Sequence, residues 1–175
     1  SDGHWLATVS DDRMIRSWTR QREGQPGWSL SGVCPSQDGV PRQVVFHPQD
    51  PDVLAVAGES RIIRLLRLPG CTEERKLSGS DSSWHTRVAF SSDGRWVAAA
   101  SLQGNITVWD TASGVVHSNI AAHRDEVLAI AFVPGDRTRL VSSAYDGTLR
   151  VWDVHTGQPL PGAAPSERAA GLALA

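Results

Sequence analysis

The sequence predicts an all-β protein built from four copies of one antiparallel sheet. A segment that reads Asn105-Ile-Thr-Val-Trp109-Asp110 returns as Thr148-Leu-Arg-Val-Trp152-Asp153, and residues 13–19 and 61–67 fit the same frame. Short runs of β-branched and aromatic residues alternate with Asp, Gly, Pro and Ser turns about every ten residues, as in β-sheet proteins. No stretch has a helical period. A fixed repeat of this kind is typical of architectures in which one unit stacks on the next.

Within one copy, each strand follows from its turns. We predict strands near 85–90, 95–101, 105–110 and 115–120, joined by tight turns at 92–94 and 103–105. Four such strands make an antiparallel meander. One sheet of this size cannot bury both faces, so consecutive sheets must stack face to face, and radial stacking gives a β-propeller.

The two ends of the chain complete each other. Residues 172–175 followed by residues 1–3 repeat the pattern of residues 88–94, so the repeat is circularly permuted. We therefore expect four blades per chain, with the C-terminal strand completing the first. The expected bounds are 1–32 plus 168–175 for blade 1, 41–79 for blade 2, 84–121 for blade 3 and 126–163 for blade 4.

Composition narrows the function. With 17 Lys+Arg against 19 Asp+Glu, the net charge is −2, so no global positive field attracts nucleic acid. No run approaches the roughly 18 apolar residues of a membrane helix. We expect no nucleic-acid or membrane partner and a cytoplasmic location.

Catalytic and metal chemistry have little support in the sequence. Nucleophile-elbow, phosphate-loop, dinucleotide and zinc-protease motifs are all missing, so we expect no enzyme, cofactor or metal site. The two cysteines are predicted on opposite faces, Cys34 after the outer strand of one blade and Cys71 in the turn between the third and fourth strands of the next. A strand of about five residues spans roughly 17 Å, beyond the roughly 7 Å Cα separation that a disulfide allows. We therefore expect no disulfide within the chain.

Over its whole length the chain resembles the WD-repeat β-propeller family. Trp109-Asp110 and Trp152-Asp153 match the WD dipeptides, Ala122-His123 matches the Gly-His position, and Asp146-Gly147 matches the turn between the second and third strands. In that family a His, a Ser or Thr, the turn Asp and the Trp form a hydrogen-bonded structural tetrad.

The resemblance implies tetrads that are incomplete in every blade. Blade 4 has Ala144 in the Ser/Thr place, and blade 2 lacks the tetrad, so we expect blade 2 to be the least regular. The tetrad-like residues implied in the other places are His123, Asp146 and Trp152 in blade 4, Ser101 and Trp109 in blade 3, and Ser10, Asp12 and Trp18 in blade 1.

The resemblance also implies a face for partners, formed by the loops between blades and the turns between second and third strands. We call this the candidate partner face. Its expected residues are Asp11, Glu59, Trp84, His85, Leu102, Arg124, Asp125 and Tyr145.

The function implied is a non-enzymatic scaffold that binds a protein or peptide. Four blades are fewer than the family's usual ring, so we favour a half-propeller that self-associates into an eight-bladed homodimer, or a piece of a larger propeller. A closed ring of four blades would have to splay its wedges and open gaps in the core. The alternatives are a sensory or regulatory propeller module of a multidomain signalling NTPase and, disfavoured by the missing motifs, an enzyme with a channel site.

Overall fold

The computed structural model describes residues 4–21, 27–79 and 83–161, which form fourteen strands in four antiparallel sheets. Blade 1 contains β1 (Trp5–Val9), β2 (Met14–Arg20) and β3 (Trp28–Pro35). Blade 2 contains β4 (Pro41–Phe46), β5 (Val53–Gly58), β6 (Ile62–Arg67) and β7 (Thr72–Ser78). Blade 3 contains β8 (His85–Phe90), β9 (Trp96–Ser101), β10 (Asn105–Asp110) and β11 (Val116–Ala121). Blade 4 contains β12 (Val127–Phe132), β13 (Arg139–Ala144) and β14 (Leu149–Asp153).

The predicted all-β class and the meander within each blade are confirmed. Strands that follow each other in sequence are neighbours in every sheet, and the residues described contain no helix. The strands of blade 3 match their predicted positions to within one residue. The expected closing strand at 168–175 lies outside the described residues.

Tight hairpins set the ends of the strands. Gly104 has a φ of +84°, which is accessible to glycine but costly for other residues. A Cβ atom at this position would also collide with the backbone carbonyl of His123. Glycine therefore allows the turn between β9 and β10 to pack against the loop that enters blade 4.

The core lies between the blades. We call the contact of two consecutive blades a seam and name it by its blades. Successive residues of a strand face opposite sides of the sheet, so blades 2 and 3 each contribute one face to each of two seams, and blades 1 and 4 contribute one face to one described seam. Seams 1/2, 2/3 and 3/4 each contain one cluster of buried apolar side chains. Among the described residues no such cluster joins blade 4 to blade 1, and the four sheets do not close into a ring.

Blade 2 is as regular as blade 3 in its strand pairing, which the prediction that it would be the least regular did not anticipate. Each of these two blades has four paired strands and two register shifts, and β5 is buried throughout. Leu66, in the place that Trp occupies in the other blades, is 6% exposed. Burial of apolar side chains such as Leu66 thus stabilises blade 2 in place of the tetrad hydrogen bonds that it lacks.

A disulfide joins Cys34 and Cys71, so the prediction that no disulfide forms within the chain is wrong. The Cα atoms are 6.2 Å apart, within the usual range for such a bond. The prediction treated the two faces as a strand's length apart, but β3, while paired with β2, packs against the neighbouring blade. Its residues Gly32 and Cys34 contact the turn that joins β6 and β7 of blade 2.

The same contact between an outer strand and a turn of the next blade recurs at the other two seams. Leu77 of blade 2 faces Gly114 of blade 3, and Ile120 of blade 3 faces Gly157 of blade 4. By strand register, Cys34 is equivalent to Leu77 and Ile120. Cys71 stands in the glycine position, with a φ of +50°. The disulfide therefore replaces an apolar contact that is common to the other seams.

Candidate functional site

Four side chains of blade 4 form a continuous chain of hydrogen bonds. The indole N–H of Trp152 donates to Ser142 Oγ over 2.8 Å, and Ser142 Oγ lies 2.7 Å from His123 Nε2. On the other side of the ring, His123 Nδ1 lies 3.1 Å from Asp146 Oδ2 and 3.0 Å from Thr148 Oγ1. Because Nδ1 faces a carboxylate, we place the ring proton there, and Ser142 donates to Nε2.

Ser142 completes this set, so the prediction that no blade retains four members is wrong for blade 4. Matching the sequence of blade 4 to the family's motif placed the Ser/Thr position at Ala144, two residues too far along β13. In the sheet, Leu140 pairs with Trp152. Alternate residues share a face, so Ser142 is the next side chain on the tryptophan's side.

The same shift changes the assignment in blades 1 and 3. In blade 3 the register places Ala99 in the serine position, and the indole N–H of Trp109 donates instead to the Ser78 carbonyl over 3.1 Å. Ser101 lies two residues after Ala99, at the end of β9, and is buried.

In blade 1 the equivalent of Ser142 is Thr8, not Ser10. Ser10 Oγ accepts a long hydrogen bond of 3.4 Å from the backbone N–H of Asp12. Asp12 forms an ion pair of 2.6 Å with Arg16, which lowers its pKa to about 2. Trp18 lies on the side of blade 1 that faces away from blade 2.

The Asp146, His123 and Ser142 contacts have the connectivity of a hydrolytic triad. Catalysis would need the serine hydroxyl to reach a substrate. Ser142 is 0% exposed and its oxygen already accepts the hydrogen bond from Trp152. The arrangement therefore holds the blade together.

Burial controls the charge of this group. It lowers the pKa of His123 below its ordinary value, although Asp146 acts in the opposite direction. The pKa of Asp146 lies below its ordinary value. Burial alone would raise this pKa, but hydrogen bonds from the Thr148 hydroxyl and from the backbone N–H groups of Arg124 and Thr148 together lower it by more. A neutral imidazole beside a carboxylate is thus the stable state near pH 7.

We expect His123 to make blade 4 sensitive to acid. Its pKa is lower in the folded state than the ordinary value of 6.5, so below pH 6.5 the unfolded state binds more protons. The free energy of unfolding should therefore fall as the pH drops from 6.5 toward the lowered pKa, and be unaffected by His123 above pH 7. Urea unfolding of the wild type and of His123→Gln at several pH values would measure this difference. A difference between the two proteins that does not change with pH would contradict it.

Seven of the eight residues of the candidate partner face are at least partly exposed. Tyr145 is 63% exposed and Trp84 is 45% exposed. The backbone N–H of Leu102 donates to the Trp84 carbonyl over 3.2 Å, and the N–H of Tyr145 donates to Glu126 over 2.9 Å. These bonds join the loops and turns at the same end of each blade. The remaining exposed or half-buried members are Asp11, Glu59, Arg124 and Asp125.

His85 does not belong to this surface. Its side chain is 0% exposed, and its ring packs edge to face against Trp109 with centroids 5.8 Å apart. The residue is the first of β8, and that strand already faces the core at its first position. The adjacent Trp84 is the residue that reaches solvent.

Arg42 was missed by the sequence reasoning, yet it organises the partner face between blades 1 and 2. Its guanidinium forms ion pairs with Asp11, over 2.9 Å, and with Glu59. The carboxylates of Asp11 and Glu59, two of the three acidic residues predicted for the partner face, are thus partly neutralised. No motif marks Arg42, because it is simply the second residue of β4.

We expect Tyr145→Ala to leave the fold intact. The ring is largely exposed, and surface substitutions usually change the free energy of unfolding by no more than about 0.5 kcal/mol. Thermal unfolding of the variant beside the wild type would measure the change. A large drop in the melting temperature would assign Tyr145 to the core instead.

The WD domain, G-beta repeat family matches this chain over residues 1–19, 71–110 and 114–153, more than half of its length. The chain belongs to the WD-repeat family. The longest unmatched segment, 20–70, contains most of blade 2, the blade without a tetrad. The only complete tetrad of the described residues lies in the last matched WD repeat.

Several WD-repeat relatives cover much of the chain. Coronin-7 of Bos taurus is 32% identical over 146 residues, which are 78% of this chain and 16% of coronin-7. The LST8 homolog of Drosophila melanogaster is 28% identical over 158 residues, 86% of this chain and 48% of its own length. The COMPASS component SWD3 of Saccharomyces cerevisiae is 32% identical over 73 residues, 42% of this chain and 23% of SWD3. The chain thus spans less than half of each relative.

The residues that the structure describes contain neither a membrane-spanning helix nor a cluster of metal-ligating side chains. Within 4–21, 27–79 and 83–161 no helix is long and apolar enough to cross a membrane. The same residues contain no group of three His, Cys, Asp or Glu side chains that could hold a metal ion.

Proposed function

We propose that this chain is a non-enzymatic WD-repeat scaffold that presents a rigid face to a protein or peptide and self-associates through its two end blades into an eight-bladed ring. One observation carries the self-association. Among the residues that the structure describes, one face of blade 1 and one face of blade 4 have no neighbouring blade, and we call these the bare faces. The two bare faces match the two sides of the seams that are buried between the described blades.

The bare face of blade 1 is apolar. Leu6, Leu30 and Val33 are 42%, 57% and 50% exposed, and Trp18 lies between Leu6 and Leu30 in the register. In blade 3, Trp109 and Val97 occupy the places of Trp18 and Leu6 and are fully buried against blade 2. Blade 1 therefore carries the side of a seam that packs onto a preceding blade.

The bare face of blade 4 carries the opposite side. Val141, Leu149 and Val151 are half-buried there. By strand register they are equivalent to the residues of blade 3 that pack onto blade 4, namely Ala98, Ile106 and Val108, all 0% exposed. Blade 4 therefore offers the surface on which a following blade sits.

These two faces are complementary to each other but not to themselves. Such a head-to-tail contact closes into a ring when the rotation per unit allows it. Two chains would supply eight blades, within the range of about four to eight that propellers use. Exposed apolar patches of this kind mark interaction sites.

The partner function rests on the candidate partner face and on family membership. The relative SWD3 is by name a component of a larger assembly, COMPASS. Tyr145 and Trp84 are exposed aromatic residues on the partner face, and aromatic residues are enriched among the anchors of protein interfaces. The net charge of −2 favours a protein partner over nucleic acid.

Light scattering on a sizing column, over a tenfold dilution, tests the self-association. We expect a mass near twice 18.9 kDa. Leu6→Arg and Val151→Arg each place a charge on one bare face and should give the mass of one chain. Val115→Arg is the matched control, because Val115 is 64% exposed in the turn between β10 and β11, away from both faces. A wild-type protein that elutes as a monomer at every concentration would overturn the self-association.

A further inference from the structure

A cavity of about 310 Å³ opens at seam 2/3 beside the outer strand of blade 2. Val53 and Leu65 supply apolar walls from blade 2, and Arg95, Thr111 and Ala112 line the side of blade 3. The volume is at the lower end of the roughly 300–1,000 Å³ that ligand pockets occupy. None of the partner-face residues lines it.

Comparison of the seams explains why this cavity exists. Strand register makes Trp5, Val53 and Trp96 equivalent as the first residues of β1, β5 and β9. At seam 1/2 the Trp5 indole N–H donates to Asp52 over 2.7 Å. At seam 3/4 Trp96 stacks on His117 with ring centroids 4.3 Å apart. Only seam 2/3, of the three described, has a small side chain at this place.

The other two rings of seam 3/4 are missing from seam 2/3 as well. His155 packs edge to face against Trp96, with ring centroids 5.6 Å apart. The positions equivalent to His117 and His155 are occupied at seam 2/3 by Glu74 and Ala112. Three aromatic rings at one seam are thus replaced by a valine, a glutamate and an alanine, and the space that they would fill is open.

A hydroxyl group in the cavity wall has no partner. Thr111 Oγ1 is buried and forms no hydrogen bond with any residue that the structure describes. The equivalent residue at seam 3/4 is Val154, which is fully buried in the apolar cluster. A buried polar atom without a partner is costly. Because this oxygen is closed off from the cavity in its present position, a ligand with a hydrogen-bonding group would remove that cost once the Thr111 side chain rotates toward it.

The charges at the rim are already matched. Four carboxylates line the cavity, and each has an arginine partner. Asp50 and Glu74 pair with Arg67, Arg95 lies 3.9 Å from Asp110, and Arg137 lies 3.4 Å from Asp93. The carboxylates disfavour an anion, and their ion pairs leave no unpaired carboxylate for a cation. The cavity therefore suits a neutral, flat group with an N–H or O–H.

We propose that this cavity binds the indole side chain of a tryptophan in a partner peptide, in the place that Trp5 and Trp96 fill at the neighbouring seams. The inference rests on the proposed function only in that the chain binds a protein. It adds a second binding site, between two blades, to the candidate partner face.

N-acetyl-L-tryptophanamide is the probe, titrated into the full chain by isothermal titration calorimetry. The seven tryptophans of the chain make intrinsic fluorescence ambiguous. We expect saturable binding of one probe per chain, at least tenfold tighter than that of N-acetyl-L-leucinamide. Thr111→Val keeps the shape found at seam 3/4 and should weaken binding by up to about tenfold, the effect of one hydrogen bond.

Val53→Trp should fill the cavity from within and weaken probe binding at least tenfold. Arg61→Trp is the matched control, because Arg61 is exposed in the turn between β5 and β6 and does not line the cavity, so the same ring there should leave binding unchanged. Ala112→His narrows the cavity from the other wall and replaces Val53→Trp if that variant does not fold.

Absence of saturable binding by the wild type, or unchanged binding by the filled variant, would overturn the inference. The mass measurement is separate: a dimer that does not bind the probe contradicts the cavity site alone, and a monomer that binds it contradicts the self-association alone.

Discussion

Trp152→Ala is expected to lower the free energy of unfolding by about 3–5 kcal/mol, the usual cost of removing a large aromatic side chain from a core. Trp152 is 3% exposed and packs within the apolar cluster of seam 3/4. Its loss also removes the N–H that donates to Ser142. The variant thus combines a cavity with a disrupted hydrogen-bond chain.

Urea unfolding followed by circular dichroism would measure this change, with Trp18→Ala as the matched control. Trp18 has the same register position in blade 1 but lies on the bare face. In dilute protein its removal should cost far less than that of Trp152, while weakening self-association. Equal losses for the two variants would contradict the assignment of one tryptophan to a seam and the other to a free face.

Reduction of the Cys34–Cys71 disulfide is expected to lower the free energy of unfolding by about 2–4 kcal/mol. The two cysteines are 37 residues apart, so the bond restricts a long loop in the unfolded chain. It also fixes blade 1, which has only one described neighbour, to blade 2. Urea unfolding with and without a reductant would measure the difference.

A double variant, Cys34→Leu with Cys71→Gly, separates the bond from the packing. It restores the pair of residue types found at seam 2/3, Leu77 against Gly114, and glycine adopts the positive φ of residue 71 without strain. We expect it to be more stable than the reduced wild type and insensitive to reductant. A wild type whose unfolding is the same in both conditions would contradict the role of the bond.

The disulfide also bears on where the protein is found. We proposed a cytoplasmic location from the sequence, but disulfides are rare in the cytosol because thiols are kept reduced there. The oxidation state of Cys34 and Cys71 in cell extracts, trapped by alkylation at low pH, tests the proposal. Thiols that are free in cells would favour the cytoplasm.

Local patterns were sufficient to predict the fold. The pattern of residues in Asn105–Asp110 and the turns on either side of it were enough to predict this strand, because both signals depend only on residues that are neighbours in the sequence. The exact position of Ser142 was missed, because it depends on how β13 pairs with β14 and not on distance along the chain. The register moves the assignment by two residues, from Ala144, and reveals a complete tetrad.

Contacts between blades were harder to predict. Cys34 meets Cys71 because the outer strand of blade 1 packs against the turn between β6 and β7 of blade 2, which no property of a single repeat indicates. The cavity of seam 2/3 has a clearer signal. Once the repeats are aligned by register, Val53 is the residue that stands in line with Trp5 and Trp96, and its small size could have been read from the sequence.

The unlike character of the two bare faces gives any assembly a direction. Each chain would have a leading blade and a trailing blade, as in a filament that grows by adding identical units head to tail. A ring ends that growth because the last free face meets the first. If the angle between successive chains were changed at one seam, the same contacts would no longer close, and the chains would continue into an open fibre.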